Sequence, residues 1–378
     1  MSKRNVGLLL AAVLAASAAC QSEEPDDHDG SGEGQAPRST LTAELTTIAE
    51  QDGLPGFAVA VVNPDRTIDS AAVGEADIDA GEPVTTDTLF HIGSTHKAVT
   101  ALLVATLVDD GVLDWDDSVA DLVEADLDPD ITMRHLLTMT SGLPAAAEDA
   151  LPEAVRRQPS IDDAVFSAFS SAEPLGPPGE VFEYSNVSTA VAGYAAAAAG
   201  DPDAVDLHQA YLDQIRERVL DPLQMTDSAM LASQARATGD LARSYEMDGD
   251  EPVELASEDT DLDLLAPAGS LKSSADDMAR FLAVLLHGGQ TPDGTQIVSP
   301  EAIATMWAPE IDGYAMGWET GSVDGVDYLS HDGSYDGFLS LLMVVPDRQV
   351  ALVLLTNSES AGGDLVSSAP ALFVETTG

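Results

Sequence analysis

The apolar positions of this chain change period along its length, and the change separates a strand-rich frame from a helical middle. Residues 56–62 and 66–73 are short runs rich in β-branched residues, and Pro64-Asp65 between them is turn chemistry, so they read as two strands. Residues 41–51, ahead of them, have helical spacing. From Ala98 to Val108 the chain is apolar nearly all round, which predicts a buried helix stopped by Asp109-Asp110-Gly111. The region that follows is mostly helical. Ser160-Ile-Asp-Asp163 opens one helix with a capping pattern, and residues 185–199 form an Ala-rich one. Another runs from Ser273 to His287, with Gly288-Gly289 as its stop. Strand patterns return at 314–318, 326–330, 338–345 and 350–355, and residues 365–374 predict a closing helix. The expected fold is α/β (α+β): an antiparallel sheet flanked by terminal helices, with an inserted all-α region.

Composition changes the picture at the N-terminus and on the surface. Lys3 and Arg4 form a basic n-region, Val6 to Ala16 an apolar h-region too short to span a bilayer, and Ser17-Ala-Ala-Cys20 a small-residue cleavage site. The one cysteine of the chain closes this segment, so residues 1–20 read as a lipoprotein signal peptide. Cys20 is then the lipidated mature N-terminus and the membrane anchor. Ordinary secretion is the alternative, because Ser17 stands where such signals usually carry Leu. A single cysteine excludes an internal disulfide, although export would permit one. Residues 21–38, acidic, polar and Gly-rich, read as a flexible linker, and residues 39–378 as one folded domain.

The formal charge is −51, from 66 acidic and 15 basic residues. Loss of residues 1–19 removes Lys3 and Arg4, leaving 13 basic residues and a charge of −53. Such a field excludes nucleic acid as a partner and repels itself in the compact state. At about 1 M salt the Debye length falls to roughly 3 Å and the repulsion is screened. The excess of Asp beside only three lysines therefore points to a halophilic habitat; a GC-rich genome that disfavours Lys codons is the alternative. The acidic runs at 248–251 and 258–263 lack EF-hand spacing and read as solvated surface. His28, His91, His96, His135, His208 and His287 show no ligand spacing, so neither a metal nor any other cofactor is expected.

Candidate chemistry begins at Ser94-Thr-His-Lys97, at the head of the buried helix. Residues i and i+3 of a helix are neighbours, so Ser94 and Lys97 should face each other. A serine hydroxyl becomes a good nucleophile when an adjacent base takes its proton. Burial and the positive end of the helix dipole both push a lysine toward the neutral form that can do so. Ser-x-x-Lys alone is a weak signal. With Tyr184-Ser-Asn186 and His331-Asp-Gly333 following in order, the set arises by chance in roughly one chain in a thousand.

These triplets resemble the penicillin-recognising serine hydrolases, in the branch that holds class C β-lactamases, DD-peptidases, D-aminopeptidases and related esterases. Class A relatives carry S-x-x-K, S-D-N and K-T-G; here Tyr-x-Asn and His-x-Gly stand second and third. Further signatures at 131–144, 177–186, 221–227 and 267–278 extend the likeness over residues 40–360. The resemblance implies the same fold and an acyl-enzyme, with Ser94 as nucleophile, Lys97 as its base and Tyr184 sharing proton transfer. By the same likeness Asn186 hydrogen-bonds Lys97 and the substrate's amide or acyl oxygen. The N–H groups of Ser94 and Ser334 would form the oxyanion hole, and Gly333 would let the substrate backbone approach that strand edge. His331 takes the place where β-lactamases carry Lys, and Asp332 is turned away by strand alternation.

The expected function is that of an extracytoplasmic, lipid-anchored serine hydrolase, or a secreted one. It would act on a small-molecule ester, a D-peptide or a β-lactam, most of all as an esterase or D-peptidase. A DD-carboxypeptidase or class C-type β-lactamase is the enzymatic alternative. A non-catalytic cell-wall- or peptide-binding lipoprotein is the alternative of another class, and the intact Ser94, Lys97, Tyr184 and Asn186 set speaks against it. No Gly-x-Ser-x-Gly elbow of an α/β-hydrolase is present. Oligomeric state is not legible. If the charge is an adaptation to salt, the melting temperature of the purified protein climbs with NaCl from dilute buffer toward molar concentration. A flat response would favour codon bias.

Overall fold

A computed structural model describes residues 53–377, apart from 124, 158–159, 250 and 257–262. The signal peptide, Cys20, the linker and the expected helix at 41–51 lie outside the described residues. Two strands come first, β1 (Gly56–Val62) and β2 (Ile68–Asp77), with a short third, β3 (Glu82–Pro83). Five more close the chain: β9 (Tyr314–Ala315), β10 (Trp318–Val323), β11 (Val326–Tyr335), β12 (Phe338–Val345) and β13 (Val350–Thr356). All eight form one antiparallel sheet in the order β3-β2-β1-β13-β12-β11-β10-β9. Between the two groups lie β4 (Phe90–His91), β5 (Ser228–Ala229) and β8 (Lys272–Ser273), which form a three-stranded sheet. The hairpin of β6 (Tyr245–Asp248) and β7 (Glu251–Glu254) stands apart.

The central strands β1, β12 and β13 are buried at every position because both faces of the sheet are covered. Along β1, Ala58, Ala60 and Val62 enter the larger core, while Phe57, Val59 and Val61 enter the smaller one. That alternation is the pleat, with successive side chains on opposite faces. The larger core holds the helical middle, including α1 (His96–Asp109), α2 (Ile161–Ser170) and α3 (Asn186–Gly200). α4 (Ala275–Leu286) joins them; its apolar stripe packs on β1 and β13. The smaller core is closed by α5 (Glu359–Thr376), whose Leu365, Ala369 and Phe373 are buried on the far face. The α/β architecture with an antiparallel sheet is thus the one the sequence pattern predicts.

Boundaries differ where turns or side-chain bonds intervene. The expected single strand at 314–318 is split by Gly317, which takes φ +76° and turns the chain from β9 into β10. The expected strand at 326–330 runs on through Tyr335, carrying the His331-Asp332-Gly333 triplet on β11. β11 and β12 join through Asp336 and Gly337, both at positive φ, the tight hairpin turn that Asp-Gly favours. Ser160 caps α2 by accepting from Asp163 N at 3.2 Å, as its spacing predicts. The three-stranded sheet has no sequence signature, since its strands are too short to show a period.

β4 delivers the chain into a turn at Gly93–Thr95 that precedes α1, and this turn is seated on β11 by backbone contact. A Cβ on Gly333 would lie 2.2 Å from Ile92 O and 2.8 Å from Ser94 N. One on Gly93, itself at φ +52°, would lie 2.8 Å from Ser334 N. Ser340, opposite Gly333 on β12, donates to Ile92 O at 2.7 Å. Thr95 donates to the same oxygen at 2.8 Å. Gly333→Ala is expected to lower stability by about 1–3 kcal/mol, the usual cost of overpacking. It should cost activity beyond that loss, because the displaced atoms belong to the Ser94 turn. Thermal melting and turnover of the variant check this; wild-type values for both would refute the docking role.

Candidate active site

The Gly93–Thr95 turn and the first turn of α1 bring Ser94 and Lys97 together. Lys97 Nζ donates to Ser94 Oγ at 2.8 Å and to Ala268 O at 3.0 Å. Its side chain is 1% exposed and lies among the packed helices of the larger core. Burial therefore pushes its pKa down from 10.5 to about 7, while the carboxylates of Glu148 and Asp332 pull the other way. Near neutral pH a large fraction is amine, and in that form the bond to Ser94 reverses. The nitrogen lone pair then faces the hydroxyl proton, which is the geometry of a base beside a nucleophile.

Tyr184 arrives from the segment before α3. Its ring centroid is 4.9 Å from Lys97 Nζ, and its phenol lies near enough to the Ser94 hydroxyl for the two to interact. Burial raises the phenol's pKa well above 10, and Asp332, Glu319 and Glu148 raise it further, while Ser94 lowers it. Tyr184 is accordingly a protonated phenol, able to donate rather than to serve as an anionic base. Its edge meets Tyr314 in a T-shaped contact at 6.1 Å, and His331 lies 6.0 Å away.

One expectation needs correction. Asn186, the first residue of α3, does not hydrogen-bond Lys97: its amide Nδ2 donates to Glu148 Oε2 at 3.2 Å. The lysine's reach is satisfied by Ser94 and Ala268 instead. His331 has both ring nitrogens engaged within the protein. It is 3% exposed; its Nδ1 donates to Asp332 O at 2.6 Å and its Nε2 accepts from the Tyr314 hydroxyl at 3.0 Å. The two bonds fix the tautomer. Burial, then Lys97, push its pKa down to about 3, so the imidazole is neutral. The side chain buttresses the wall behind Tyr184. Asp332 is exposed, as strand alternation predicts, yet its charge still reaches Lys97. Gly333 makes room for the Ser94 turn.

Ser334 is placed by the hairpin. Tyr335 pairs with Phe338 across a two-residue turn, so Ser334, opposite Leu339, is a non-hydrogen-bonded position whose N–H points away from β12. β10 pairs with β11 only as far as Ser330, which leaves that edge open toward the Ser94 turn. Ser94 N, in the opening turn of the helix, belongs to the N–H groups that lack an intrahelical acceptor. Two backbone donors therefore meet where the Ser94 turn touches β11, the kind of groups an oxyanion hole uses. Sequence reasoning missed Glu148, Ala268 and Tyr314. Ala268 lies within the 267–278 signature and acts through a carbonyl that any residue could supply. Glu148 falls just past the 131–144 signature, and only the partner it meets in space singles it out.

A family model described as Beta-lactamase matches residues 41–375. The chain belongs to the Beta-lactamase family of serine hydrolases. Among curated relatives it is 31% identical to Penicillin-binding protein 4 of Amycolatopsis lactamdurans, over 86% of this chain and 85% of that protein. It is 28% identical to the unguisins hydrolase ungD′ of Aspergillus campestris, spanning 81% of this chain but 59% of that longer protein. Of solved structures, SurE superposes with a TM-score of 0.74 at 27% identity, covering 90% of this chain and 76% of that one. The octameric penicillin-binding protein homologue of Pyrococcus abyssi, at 24% identity and a TM-score of 0.73, shares the fold.

The amine form of Lys97 is the one that accepts a proton, so kcat/KM for a neutral ester is expected to rise with pH through a limb near pH 7. Glu148 favours the ammonium; Glu148→Gln should therefore move that limb to lower pH. A pH–rate profile with no limb between about 6 and 8 would count against Lys97 as the titrating base.

Proposed function

We propose that this serine hydrolase cleaves small carboxylic esters or short D-peptides through an acyl-enzyme, with Ser94 as nucleophile. The observation that carries this reading is a buried, largely neutral Lys97 whose nitrogen lies 2.8 Å from Ser94 Oγ. In this mechanism Ser94 Oγ attacks the carbonyl carbon while its proton passes to Lys97. The carbonyl oxygen gains negative charge and is met by the N–H groups of Ser94 and Ser334. As the acyl–leaving-group bond breaks, Tyr184 gives its proton to the departing oxygen or nitrogen and regains one from the Lys97 ammonium. Water then attacks the acyl-serine by the same route in reverse, and the acid is released.

The third motif favours esters, and D-peptide amides whose leaving group bears no carboxylate, over β-lactams. A β-lactam carries a carboxylate on the leaving-group side, where a lysine would meet it with full charge. Here His331 is neutral, both of its nitrogens are occupied, and Asp332 beside it is anionic and exposed. The likeness to a penicillin-binding protein over most of both chains supports DD-carboxypeptidase action as the second reading. Ser94→Ala should abolish both turnover and labelling by a fluorophosphonate probe, and Lys97→Ala should lower turnover by orders of magnitude. The substrate comparison is kcat/KM for p-nitrophenyl acetate against a chromogenic cephalosporin. Faster turnover of the cephalosporin would reverse the substrate assignment, and labelling that survives Ser94→Ala would remove the nucleophile.

The signal-like N-terminus supports an extracytoplasmic site of action, with the enzyme held at the membrane through lipidated Cys20. Mass spectrometry of the native N-terminus tests this. A soluble product lacking a modified Cys20 would leave simple secretion.

A further inference from the structure

Lys97 makes a second hydrogen bond, and that bond sets its aim. A neutral lysine head has two N–H bonds and one lone pair, and it turns easily about the Cε–Nζ bond. Donation of one N–H to Ala268 O at 3.0 Å leaves the lone pair free to face Ser94 Oγ at 2.8 Å. The direction of the base therefore depends on where the Ala268 carbonyl stands. Ala268 belongs to the short helix Ala266–Gly269, a single turn that cannot hold its own place.

α1 supplies the hold. Thr100, one turn beyond Lys97, donates to Pro267 O at 2.6 Å, so side chains of one helix face take two consecutive carbonyls. A carbonyl only accepts, so this bond uses the single proton of the Thr100 hydroxyl. The 2.7 Å contact between Thr100 Oγ1 and the Tyr211 phenol is then one that Tyr211 donates. The phenol oxygen in turn accepts from His96 Nε2 at 3.2 Å. Tyr211 comes from a different helix, Leu207–Ile215. Burial keeps its phenol protonated, and burial followed by Lys97 pushes the His96 pKa down to about 3, so both groups are neutral. Thr100, His96 and Tyr211 are fully buried, and water does not compete for these bonds. α3 closes the other side: a Cβ on Gly193 would lie 2.4 Å from Pro267 Cβ and 3.1 Å from Tyr211 Cε2.

We propose that Tyr211 is a positioning residue for acyl transfer: it holds Thr100 on the Pro267 carbonyl, and so keeps the adjoining Ala268 carbonyl where it aims the Lys97 lone pair at Ser94. The inference rests on the serine hydrolase reading above and extends it to residues buried behind the base. The other titratable groups around Lys97 are Glu148, Tyr184, His331 and Asp332 on β11, and His96 on α1. Loss of the Tyr211 hydroxyl changes the charge of none of them.

The test compares Tyr211→Phe, Thr100→Val and Thr100→Ser with the wild type. Phenylalanine keeps the ring contacts with Tyr194 and His96 and removes the hydroxyl alone. For p-nitrophenyl acetate, kcat should fall by about tenfold, less than a full ångström of misplacement can cost. KM should stay within about twofold. The limb of the pH–rate profile should move to lower pH, because an ammonium that loses its carbonyl acceptor is less stable. Thr100→Val should reproduce both effects, and Thr100→Ser should recover most of the loss. The Tyr211→Phe/Thr100→Val double variant should lose little more than the worse single one, since both break one chain. The rate at which a fluorophosphonate labels Ser94 reads the same activation independently. A lowered melting temperature with kcat and the limb unchanged would make the chain a structural tie only and overturn the proposal. So would a Thr100→Ser enzyme as impaired as Thr100→Val, a comparison that decides the matter alone if Tyr211→Phe does not fold. A wild type that neither hydrolyses the ester nor is labelled at Ser94 would instead remove the hydrolase reading.

Discussion

The rest of the site depends on one close approach, that of the Ser94 turn to strand β11. Gly93 and Gly333 let two backbones meet at a distance no side chain would permit, and Gly317 does the same on the far side of the lysine, where a Cβ would lie 2.7 Å from Ala98 N. Ser340 and Thr95 converge on the Ile92 carbonyl and hold the turn in that seat. The result sets both Ser94 N and Ser334 N at the junction of the turn with β11. An oxyanion hole of two main-chain donors needs no particular side chain, but it does require this separation.

Charge is handled in opposite ways inside and outside. The surface of a chain with formal charge −51 favours cations everywhere, and Glu148 and Asp332 favour the ammonium of Lys97 in particular. Desolvation is the larger effect at this lysine because its nitrogen sits among packed helices, so the interior supplies a base near neutral pH despite the field around it. The same surroundings keep Tyr184 protonated. Base and acid are thus separated by environment, with the low-dielectric core favouring the neutral form of each.

The third-motif strand contributes support more than contact. His331, Tyr314 and Tyr184 form a continuous wall, tied by the Tyr314 to His331 hydrogen bond and by ring packing. Exchange of lysine for histidine at this position does more than remove a positive charge. It places a neutral, buried imidazole beside Tyr184 and leaves Asp332 exposed on that strand.

What the sequence by itself determined is local. The i, i+3 spacing of Ser94 and Lys97 on an apolar helix, the apolar runs of β1 and β12 and the Ser160 cap are each decided by residues within one or two turns of one another. These were legible, as were the antiparallel sheet and the helical middle. Tertiary structure decided which groups face each other across the chain. Asn186 turns to Glu148 and not to Lys97, Ala268 supplies the lysine's second acceptor, Tyr314 engages the imidazole of His331, and Gly333 opens space for the Ser94 turn. Each of these choices is a contest between partners far apart in sequence. Differences in separation of an ångström or less settle it, and only the packing of the sheet against α1 and α3 sets those separations.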